Sequence, residues 1–419
     1  NSTQNALGCA AMSETSFPKS EIKVLLLEGV HPVANQAFAA EGFAVEAVKS
    51  ALPEAELIER IRDVHVLGIR SKTQVTPAVL DAGKRLLTVG AFCIGTNQIA
   101  LRHAVQAGVP VFNAPFSNTR SVAELIMAEV VMLARHLGDR SREVHEGKWR
   151  KVAVGSHEIR GRTLGIIGYG HIGSQVGVLA ESFGMRVVFF DIAARLPMGN
   201  NQSLAKLHEL LAASDFVTIH VPETPQTRNM FGAAEIAAMK KGAHLLNASR
   251  GTVVDLDALA AAIKAGHIGG AAVDVYPDEP EGNSDGFVSP LCGLPNVVLT
   301  PHIGGSTEEA QESIGREVSS ALIKFVNTGS TAGTVNFPMV ELPTSPDAHR
   351  ILNVHKNVPG VLRDINKIVS DMNANIRAQL LATDPDIGYL IMDLDHGVSR
   401  EVRNAIAALS TNIRTRILF

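Results

Sequence analysis

The segment TLGIIGYGHIG, residues 163–173, is the clearest structural signal in the chain. Its apolar part, Thr163–Ile167, predicts a buried strand, and Gly168, Gly170 and Gly173 follow with the GxGxxG spacing that leads from such a strand into a helix. Glycines at these positions let the turn tighten and let the backbone approach a pyrophosphate at the positive end of the helix. The segment therefore predicts a doubly wound α/β domain that binds a dinucleotide.

A carboxylate ends the next predicted strand, as this motif requires. Asp191 lies about twenty residues after the glycines. A carboxylate there accepts hydrogen bonds from the adenosine ribose and repels a 2′-phosphate, so Asp191 favours NAD over NADP. The alternative is a structural turn followed by a surface Asp, but the order strand, glycine turn and helix favours the cofactor.

Strand-like apolar segments alternate with helical segments in two long regions, which predicts two Rossmann-like or flavodoxin-like domains with parallel sheets. The first region predicts strands at Ile22–Leu27, Val64–Ile69, Leu86–Val89 and Val109–Phe112, with helical spacing at Glu54–Arg62 and Ile99–Ala107. The second predicts strands at Thr163–Ile167, Val187–Asp191, Phe216–Val221, Ala243–Asn247, Ala271–Val275 and Val297–Thr300. Single long helices are predicted from Ser117 to Gly147 and from Thr307 to Asn327.

The pattern changes at Ala348. The tail has a βαββαβ order, which predicts a small ferredoxin-like domain with two helices on one antiparallel sheet. Its elements are predicted at Arg350–His355, Gly360–Met372, Asn375–Thr383, Gly388–Asp393, Val398–Leu409 and Arg414–Leu418. About seventy residues form only a small core, so we expect the tail to pair with a second copy.

The domain organisation follows from these regions. We expect a discontinuous substrate-binding domain at residues 20–117 and 306–340, a nucleotide-binding domain at 118–305 and the tail domain at 348–419, with Gly329–Gly333 as a linker. Residues 1–19 are polar and weakly patterned, and we expect them to be disordered or vector-derived, with Met12 as a candidate native start.

Composition excludes several classes of protein. A formal net charge of −4 gives no general attraction to nucleic acid or to an anionic membrane, so an anionic ligand would need a local basic cluster. Cys9, Cys93 and Cys292 are odd in number and widely spaced, which indicates neither a disulfide framework nor a metal site. No segment has the apolar length of a membrane helix or the pattern of a signal peptide, so we expect a cytoplasmic protein.

Three polar residues follow predicted strands of the second region, where carboxyl ends of strands face the ligand crevice. Oxidation of a 2-hydroxy acid needs a base for the hydroxyl proton, a group that orients the base, and a cation for the carboxylate. His302, Glu279 and Arg250 supply one of each and are the candidate catalytic residues. Singly, each could instead be a buried His, a surface Glu or a helix-capping Arg; their order along the chain favours catalysis.

From Ile22 onward the chain resembles the D-2-hydroxyacid dehydrogenases. The resemblance rests on FNAPFSNTRSVAE at residues 112–124, on the glycine turn, on the segments around Arg250 and His302, and on the tail. It implies that Arg250, Glu279 and His302 are catalytic, with His302 as the proton donor in the reductive direction. It also implies NAD contacts at Gly168, Gly170, His171, Ile172, Gly173, Asp191, Ala248, Ser249, Arg250, Asp274, His302, Ile303, Gly304 and Gly305.

The resemblance also locates the substrate. It implies that Lys49, Arg70, Asn118, Lys151 and Arg250 bind a phosphorylated acid. From the residues alone the signal is weaker, because isolated lysines are usually solvated. The signal from Arg70 is stronger, since this residue ends a predicted strand beside the crevice. By the same resemblance Trp149 packs at a subunit contact.

The tail resembles an ACT domain, a module that binds amino acids between two copies. The segment HKNVPGVL, residues 355–362, leaves a strand and enters a helix, whose exposed N–H groups suit a carboxylate. The resemblance implies that His355, Asn357 and Asn375 hold serine across two subunits. A purely architectural domain, with Asn375 as an ordinary turn residue, is the alternative.

The resemblance implies a reaction: NAD-dependent oxidation of 3-phosphoglycerate to 3-phosphohydroxypyruvate, the entry to serine synthesis. It further implies allosteric inhibition by serine through a hinge, a homotetramer, no metal, and 2-oxoglutarate reduction as a second activity. Two rivals stay open, namely a dehydrogenase of an unphosphorylated acid such as glycerate or lactate, and a non-catalytic NAD-sensing protein.

Overall fold

The computed structural model describes residues 15–280, 285–345 and 347–419; Cys9, Met12 and the rest of residues 1–14 lie outside it. The chain divides into two compact units. One comprises the described parts of Asn1–Pro115 and Glu312–Phe419, and the other is Phe116–Gln311. Over the described ranges, no helix combines the length and apolarity needed to span a membrane.

The first unit begins with a parallel sheet between helices. In chain order its elements are β1 (Lys23–Leu26), α1 (Pro32–Ala40), β2 (Ala44–Ala47), α2 (Glu54–Ile61), β3 (Val66–Ile69), α3 (Pro77–Ala82), β4 (Thr88–Ala91), α4 (Leu101–Gln106) and β5 (Val111–Asn113). The strand order is β2-β1-β3-β4-β5. Strands β3 and β4 are buried throughout because helices cover both faces of the sheet.

Residues 15–19 are part of this fold, although the sequence predicts that it starts after them. The backbone N–H of Ser16 donates to the carbonyl oxygen of Phe419 (3.0 Å), and the ring of Phe17 lies 5.6 Å from that of His65. These contacts come from chain segments far apart in sequence, so local polarity could not reveal them.

The second unit is a seven-stranded parallel sheet with helices on both faces. Its elements are α5 (Thr119–Arg135), α6 (Leu137–His145), β6 (Thr163–Ile167), α7 (His171–Ser182), β7 (Arg186–Phe190), β8 (Gln202–Ser203), α8 (Leu207–Ala213), β9 (Phe216–Ile219), α9 (Ala233–Ala238), β10 (His244–Asn247), α10 (Leu256–Lys264), β11 (Gly270–Val273) and β12 (Val297–Leu299). The order β12-β11-β10-β9-β6-β7-β8 reverses direction beside β6, which places the ligand crevice at the carboxyl end of that strand.

The prediction of a single helix from Ser117 to Gly147 is wrong, because the segment forms two helices. His136 adopts a left-handed conformation (φ 52°), which ends α5, and α6 starts at the next residue. Helix α6 buries none of its residues in the chain, and Trp149 beyond it is 84% exposed.

The tail forms an antiparallel sheet with both helices on one face, as predicted. After α11 (Glu308–Thr328) come β13 (His349–Lys356), α12 (Val361–Asp371), β14 (Ile376–Thr383), β15 (Ile387–Leu394), α13 (Ser399–Ala407) and β16 (Asn412–Leu418). The strand order is β14-β15-β13-β16. Side chains alternate along β15, so Leu390 and Met392 pack under the helices while Tyr389 and Ile391 face the other way.

The outer face of the tail sheet packs against the rest of the first unit, so the tail and the first parallel sheet form one compact unit. Tyr389 and Ile391 share a hydrophobic core with Val318, Leu322 and Phe325 of α11. This contact gives the small tail a second apolar boundary within one chain, in addition to any pairing with a second copy.

The first three residues of the predicted linker at Gly329–Gly333 are buried, and only Gly333 is exposed. Thr331 is fully buried, and the hydroxyl of Tyr389 donates to the carbonyl oxygen of Gly329 (2.6 Å). The guanidinium of Arg350 binds the Asp393 carboxylate at 2.7 and 2.8 Å and also donates to the carbonyl oxygens of Thr328, Leu342 and Pro343. Polar and apolar contacts thus fasten the linker to the tail.

Candidate active site

The glycine turn after β6 has the geometry of a phosphate-binding loop. Gly168 has φ +88°, and a Cβ there would lie 2.4 Å from the carbonyl oxygen of His220; a Cβ on Gly173 would lie 2.2 Å from the carbonyl oxygen of Gly168. Gly170 caps α7, and a Cβ on it would meet no described atom within 4 Å. Gly168 and Gly173 therefore serve close packing, whereas Gly170 borders open space at a helix N-terminus, which fits a pyrophosphate.

The carboxylate of Asp191 lies beside this turn. It accepts hydrogen bonds from the backbone N–H groups of Tyr169 and Ala193, both at 2.8 Å. These bonds aim the carboxylate across the carboxyl end of the sheet, and each oxygen retains a lone pair for a ribose hydroxyl. Arg195 lies 3.6 Å from the same carboxylate.

We expect the Asp191→Ala variant to narrow the preference for NAD over NADP. The substitution removes the acceptor for ribose hydroxyls and the repulsion of a 2′-phosphate, while Arg195 stays near. The ratio of kcat/KM with NAD to that with NADP measures the effect, and Asp285→Ala serves as an exposed-carboxylate control. Equal use of the two cofactors by the wild-type protein would contradict the assignment.

A buried asparagine shapes the turn that carries Arg250. Oδ1 of Asn247 accepts from the backbone N–H (3.1 Å) and hydroxyl (2.7 Å) of Ser249, and its Nδ2 donates to the carbonyl oxygen of Arg250 (3.1 Å). A Cβ on Gly251 would lie 1.9 Å from the carbonyl of Tyr276, so this turn passes directly over the loop that leads to Glu279. Asn247 and Gly251 therefore bring Arg250 towards Glu279.

His302 and Glu279 form a hydrogen-bonded pair. Nδ1 of His302 lies 2.7 Å from Oε2 of Glu279, whose Oε1 accepts from the backbone N–H of Tyr276 (3.0 Å). The bond to Glu279 raises the pKa of His302, although partial burial opposes it. Burial would raise the pKa of Glu279, but the bonds from His302 and Tyr276 and the charge of Arg250 lower it. The pair thus favours an imidazolium beside a carboxylate.

Asp274 anchors the loop that carries His302. It is 1% exposed and accepts from the hydroxyl of Thr300 (2.6 Å) and from the backbone N–H groups of Ile303 and Gly304, both at 2.8 Å. His302 itself has φ +54°, a conformation that a non-glycine residue rarely adopts. The sequence predicts Asp274 as a cofactor contact; this loop-anchoring role was missed because its partners lie almost thirty residues away.

Other residues around the crevice have unusual environments. The ring of Phe116 lies 3.8 Å from that of His171, and the buried Oδ1 of Asn118 has no hydrogen-bond partner among the described residues. Glu129 on α5 is 2% exposed, and burial together with the charge of Asp274 raises its pKa to about 8. Sequence reasoning missed Glu129, since a single Glu in an amphipathic helix is typical of a surface position.

The predicted substrate residues fall in both units. Arg70 is half-buried after β3 and Lys49 is exposed after β2, both in the first unit, whereas Asn118, Lys151 and Arg250 belong to the second. Within the first unit, β2 and β3 flank β1, so their carboxyl ends lie along one edge of the sheet.

The three predicted effector residues do not meet within one chain. Asn357 follows β13, and its Nδ2 donates to the carbonyl oxygen of Asp384 (2.6 Å) at one end of the tail sheet. Asn375 precedes β14 at the opposite end, about 25 Å away along eight-residue strands. His355 is 3% exposed under the helices, with Nδ1 2.8 Å from Oδ1 of Asn353.

Two family models match the chain. The NAD binding domain of the D-isomer specific 2-hydroxyacid dehydrogenases matches residues 127–304, and the AHAS small subunit-like ACT domain matches residues 351–414. The first match contains the glycine turn and all three candidate catalytic residues. The second contains all three candidate effector residues.

Curated relatives match almost the whole chain. D-3-phosphoglycerate dehydrogenase of Dictyostelium discoideum is 56% identical over 97% of this chain and 99% of its own length. The enzyme of the same name from Escherichia coli K12 is 51% identical over 97% of this chain and 100% of its own. Their similarity therefore extends through both units, including the tail.

Solved structures match about three quarters of the chain. The TT0316 protein of Thermus thermophilus is 31% identical, covers 75% of this chain and 100% of its own, and superposes with a TM-score of 0.68. D-lactate dehydrogenase of Aquifex aeolicus, solved with NAD and lactic acid, is 26% identical, covers 76% of this chain and 99% of its own, with a TM-score of 0.64. The chain thus shares its fold with these structures over about three quarters of its length.

Proposed function

The chain belongs to the D-3-phosphoglycerate dehydrogenases, NAD-dependent enzymes of the D-2-hydroxyacid dehydrogenase family, and we propose that it oxidises 3-phosphoglycerate to 3-phosphohydroxypyruvate under feedback control by serine. The observation that carries the chemistry is the 2.7 Å bond between His302 and Glu279, with the charge of Arg250 acting on both. A base, its orienting carboxylate and a cation thus lie together in one unit.

In the proposed mechanism each residue has a separate task. Glu279 keeps the proton on Nδ1 of His302, so Nε2 is the nitrogen that takes the proton of the substrate hydroxyl. Arg250 binds the substrate carboxylate with two parallel hydrogen bonds and orients C2. NAD supplies the hydride acceptor when it is bound. In reduction, His302 returns the proton to the carbonyl oxygen, and its raised pKa favours that step.

Substrate choice tests this proposal against its rivals. Arg70 and Lys49 favour a phosphorylated acid, so kcat/KM for 3-phosphoglycerate should far exceed that for D-glycerate or D-lactate, measured as NADH formation with the purified protein. Preference for an unphosphorylated acid would favour the first rival. Absence of turnover with all three acids, in protein that binds NAD, would favour the non-catalytic one.

The Glu279→Gln variant should shift the pH profile to lower pH. Oxidation needs the neutral imidazole, so its rate rises as pH passes upward through the pKa of His302. Glu279 raises that pKa, and an amide removes the charge that does so. The acid limb of the kcat/KM profile for oxidation and the alkaline limb of the profile for reduction should both move to lower pH. Asp278→Asn, an exposed neighbour, should leave both limbs unchanged, and an unshifted Glu279→Gln profile would contradict the pairing.

For regulation, we place serine between two copies of the tail. Its carboxylate would bind at the N-terminal turn of α12 near Asn357, and its amino or hydroxyl group near Asn375 of a second copy. The separation of these residues within one chain supports a site completed by two copies. Because His355 is buried, it would act by holding this turn in place rather than by direct contact.

Asn357→Ala and Asn375→Ala should weaken serine inhibition and leave uninhibited turnover close to wild type. Serine acts from the tail, so it should lower kcat more than it raises the substrate KM. Initial rates across serine concentrations measure both effects, with Asn404→Ala on α13 as the control. Point variants are preferable to truncation at Ala348, which would expose the core shared with α11. A purely competitive pattern would contradict the mechanism.

Three finer expectations rest on the resemblance. We propose a homotetramer, in which the exposed Trp149 packs at a subunit contact. We also propose a cytoplasmic location and a second activity, the reduction of 2-oxoglutarate. Mass measurement in solution and a 2-oxoglutarate assay with NADH test the first and the last.

A further inference from the structure

Glu28, the second residue after β1, lies between the loops that follow β2 and β3 at the carboxyl edge of the first sheet. It has φ +63°, and Gly29 after it has φ +60°. A glutamate has no intrinsic preference for this left-handed region, and such conformations persist only where surrounding contacts hold them. At Glu28, hydrogen bonds of the side chain and of the backbone supply these contacts.

The side chain binds the backbone of the loop after β3. Oε1 accepts from the N–H groups of Arg70 (3.1 Å) and Thr73 (2.8 Å), and Oε2 accepts from that of Lys72 (3.0 Å). Three N–H groups thus converge on one carboxylate that lies 42 to 45 residues earlier in the chain. This bonding fixes the backbone from which the side chain of Arg70 projects.

The backbone of the same turn binds the loop after β2. The N–H of Glu28 donates to the carbonyl oxygen of Ser50 and that of Gly29 donates to Val48, both at 3.1 Å. Lys49 lies between these two acceptors. On the other side, Nε2 of Gln98, in the loop after β4, donates to the carbonyl oxygen of Arg70 (2.6 Å). The Glu28 turn therefore connects the loops that carry both predicted phosphate-binding cations.

We propose that Glu28 is a positioning residue for phosphate recognition, which sets the relative placement of Arg70 and Lys49. The inference rests on the proposed role of these two cations in binding the substrate phosphate. Its physical basis is that a phosphate bridging two cations requires their separation to be fixed, and long side chains on mobile loops would lose entropy on binding. A carboxylate this close to the substrate phosphate would repel it unless hydrogen bonds offset the negative charge of the carboxylate. The three backbone N–H groups donate such bonds to Glu28.

The Glu28→Gln variant removes one charge and little volume. An amide can keep its oxygen towards Arg70 and Thr73, but its NH₂ group then faces the N–H of Lys72, and that bond is lost. We expect the KM for 3-phosphohydroxypyruvate to rise about tenfold with little change in kcat, as for loss of one hydrogen bond to a charged group. Reduction of hydroxypyruvate, which lacks the phosphate, should change less than about twofold.

Two controls separate positioning from general damage. Glu46→Gln on β2 alters an exposed carboxylate that pairs with the side chain of Arg60, and it should change neither substrate's kinetics. Thermal unfolding of both variants monitors the fold. In an Arg70→Met background, Glu28→Gln should have almost no further effect on the discrimination between the two substrates, because it acts through Arg70.

The outcomes are distinct. If Arg70→Met lowers the discrimination but Glu28→Gln leaves it intact, or slows both substrates equally, the inference is overturned and the phosphate assignment survives. If Arg70→Met itself leaves the discrimination intact, the phosphate assignment fails and the inference fails with it. Loss of discrimination in both single variants, without additivity in the double variant, supports the inference.

Discussion

The His302→Ala variant is expected to lose about 10²- to 10⁴-fold in kcat in both directions, the usual effect of removing a positioned acid–base group. The imidazole is the only group that the proposed mechanism uses to move the hydroxyl proton. Cofactor affinity should fall far less than kcat, because most of the implied NAD contacts, including the glycine turn and Asp191, lie at other strands of the sheet. Steady-state rates and calorimetric titration with NAD measure the two effects separately.

The backbone at His302 calls for a second variant. Its φ of +54° disfavours alanine, so His302→Ala also perturbs the loop held by Asp274. Asparagine tolerates this conformation, and His302→Asn removes the imidazole at smaller backbone cost. Both variants should lose similar activity. A loss below about tenfold in His302→Asn would show that another group moves the proton.

Glu129 should make the free energy of unfolding fall as pH rises. Burial and Asp274 raise its pKa from 4.5 to about 8 in the folded protein, so the folded state keeps a proton that the unfolded state releases. The stability that Glu129 contributes through this proton is fully present below pH 4.5 and is lost progressively up to about pH 8. The loss is about 1.4 kcal/mol per pH unit and about 5 kcal/mol in total.

The Glu129→Gln variant, a neutral isostere, should lack this slope. Its free energy of unfolding relative to wild type should increase steadily between about pH 5.5 and pH 8, whatever constant cost the amide adds. Denaturant unfolding at several pH values measures the difference. Glu124→Gln on the same helix, whose partner is the exposed Arg120, should run parallel to wild type. Parallel curves for both variants would mean that Glu129 is ionised in the folded protein.

The fold was predictable where a pattern is local. Strand β6 has the predicted bounds, Thr163–Ile167, because buried parallel strands are apolar throughout and the glycine turn marks their end. All six elements of the tail also lie where the sequence predicts them. The family and the NAD cofactor, inferred from the same motifs, are confirmed by the comparisons.

What was missed depends on contacts distant in sequence. Strand β2 is an edge strand with mostly exposed residues, and β8 has only two residues, so neither shows an apolar pattern. The left-handed residue that ends α5 is His136 itself, and the nearest glycine, Gly138, lies inside the next helix. The roles of Asp274 and Glu28 arise from backbone groups brought close only by the sheet.

The shared core between the tail sheet and α11 has an evolutionary consequence. A sensing module that touched its host only through a flexible tether could be exchanged between enzymes by recombination at the tether. Here the ring of Phe337 packs edge-on against Tyr389. The guanidinium of Arg350 donates hydrogen bonds both to Asp393 of the tail and to the carbonyl oxygen of Thr328 at the end of α11. A chimera that joined this enzyme to a foreign ACT domain would therefore need matched changes on α11 and around Phe337.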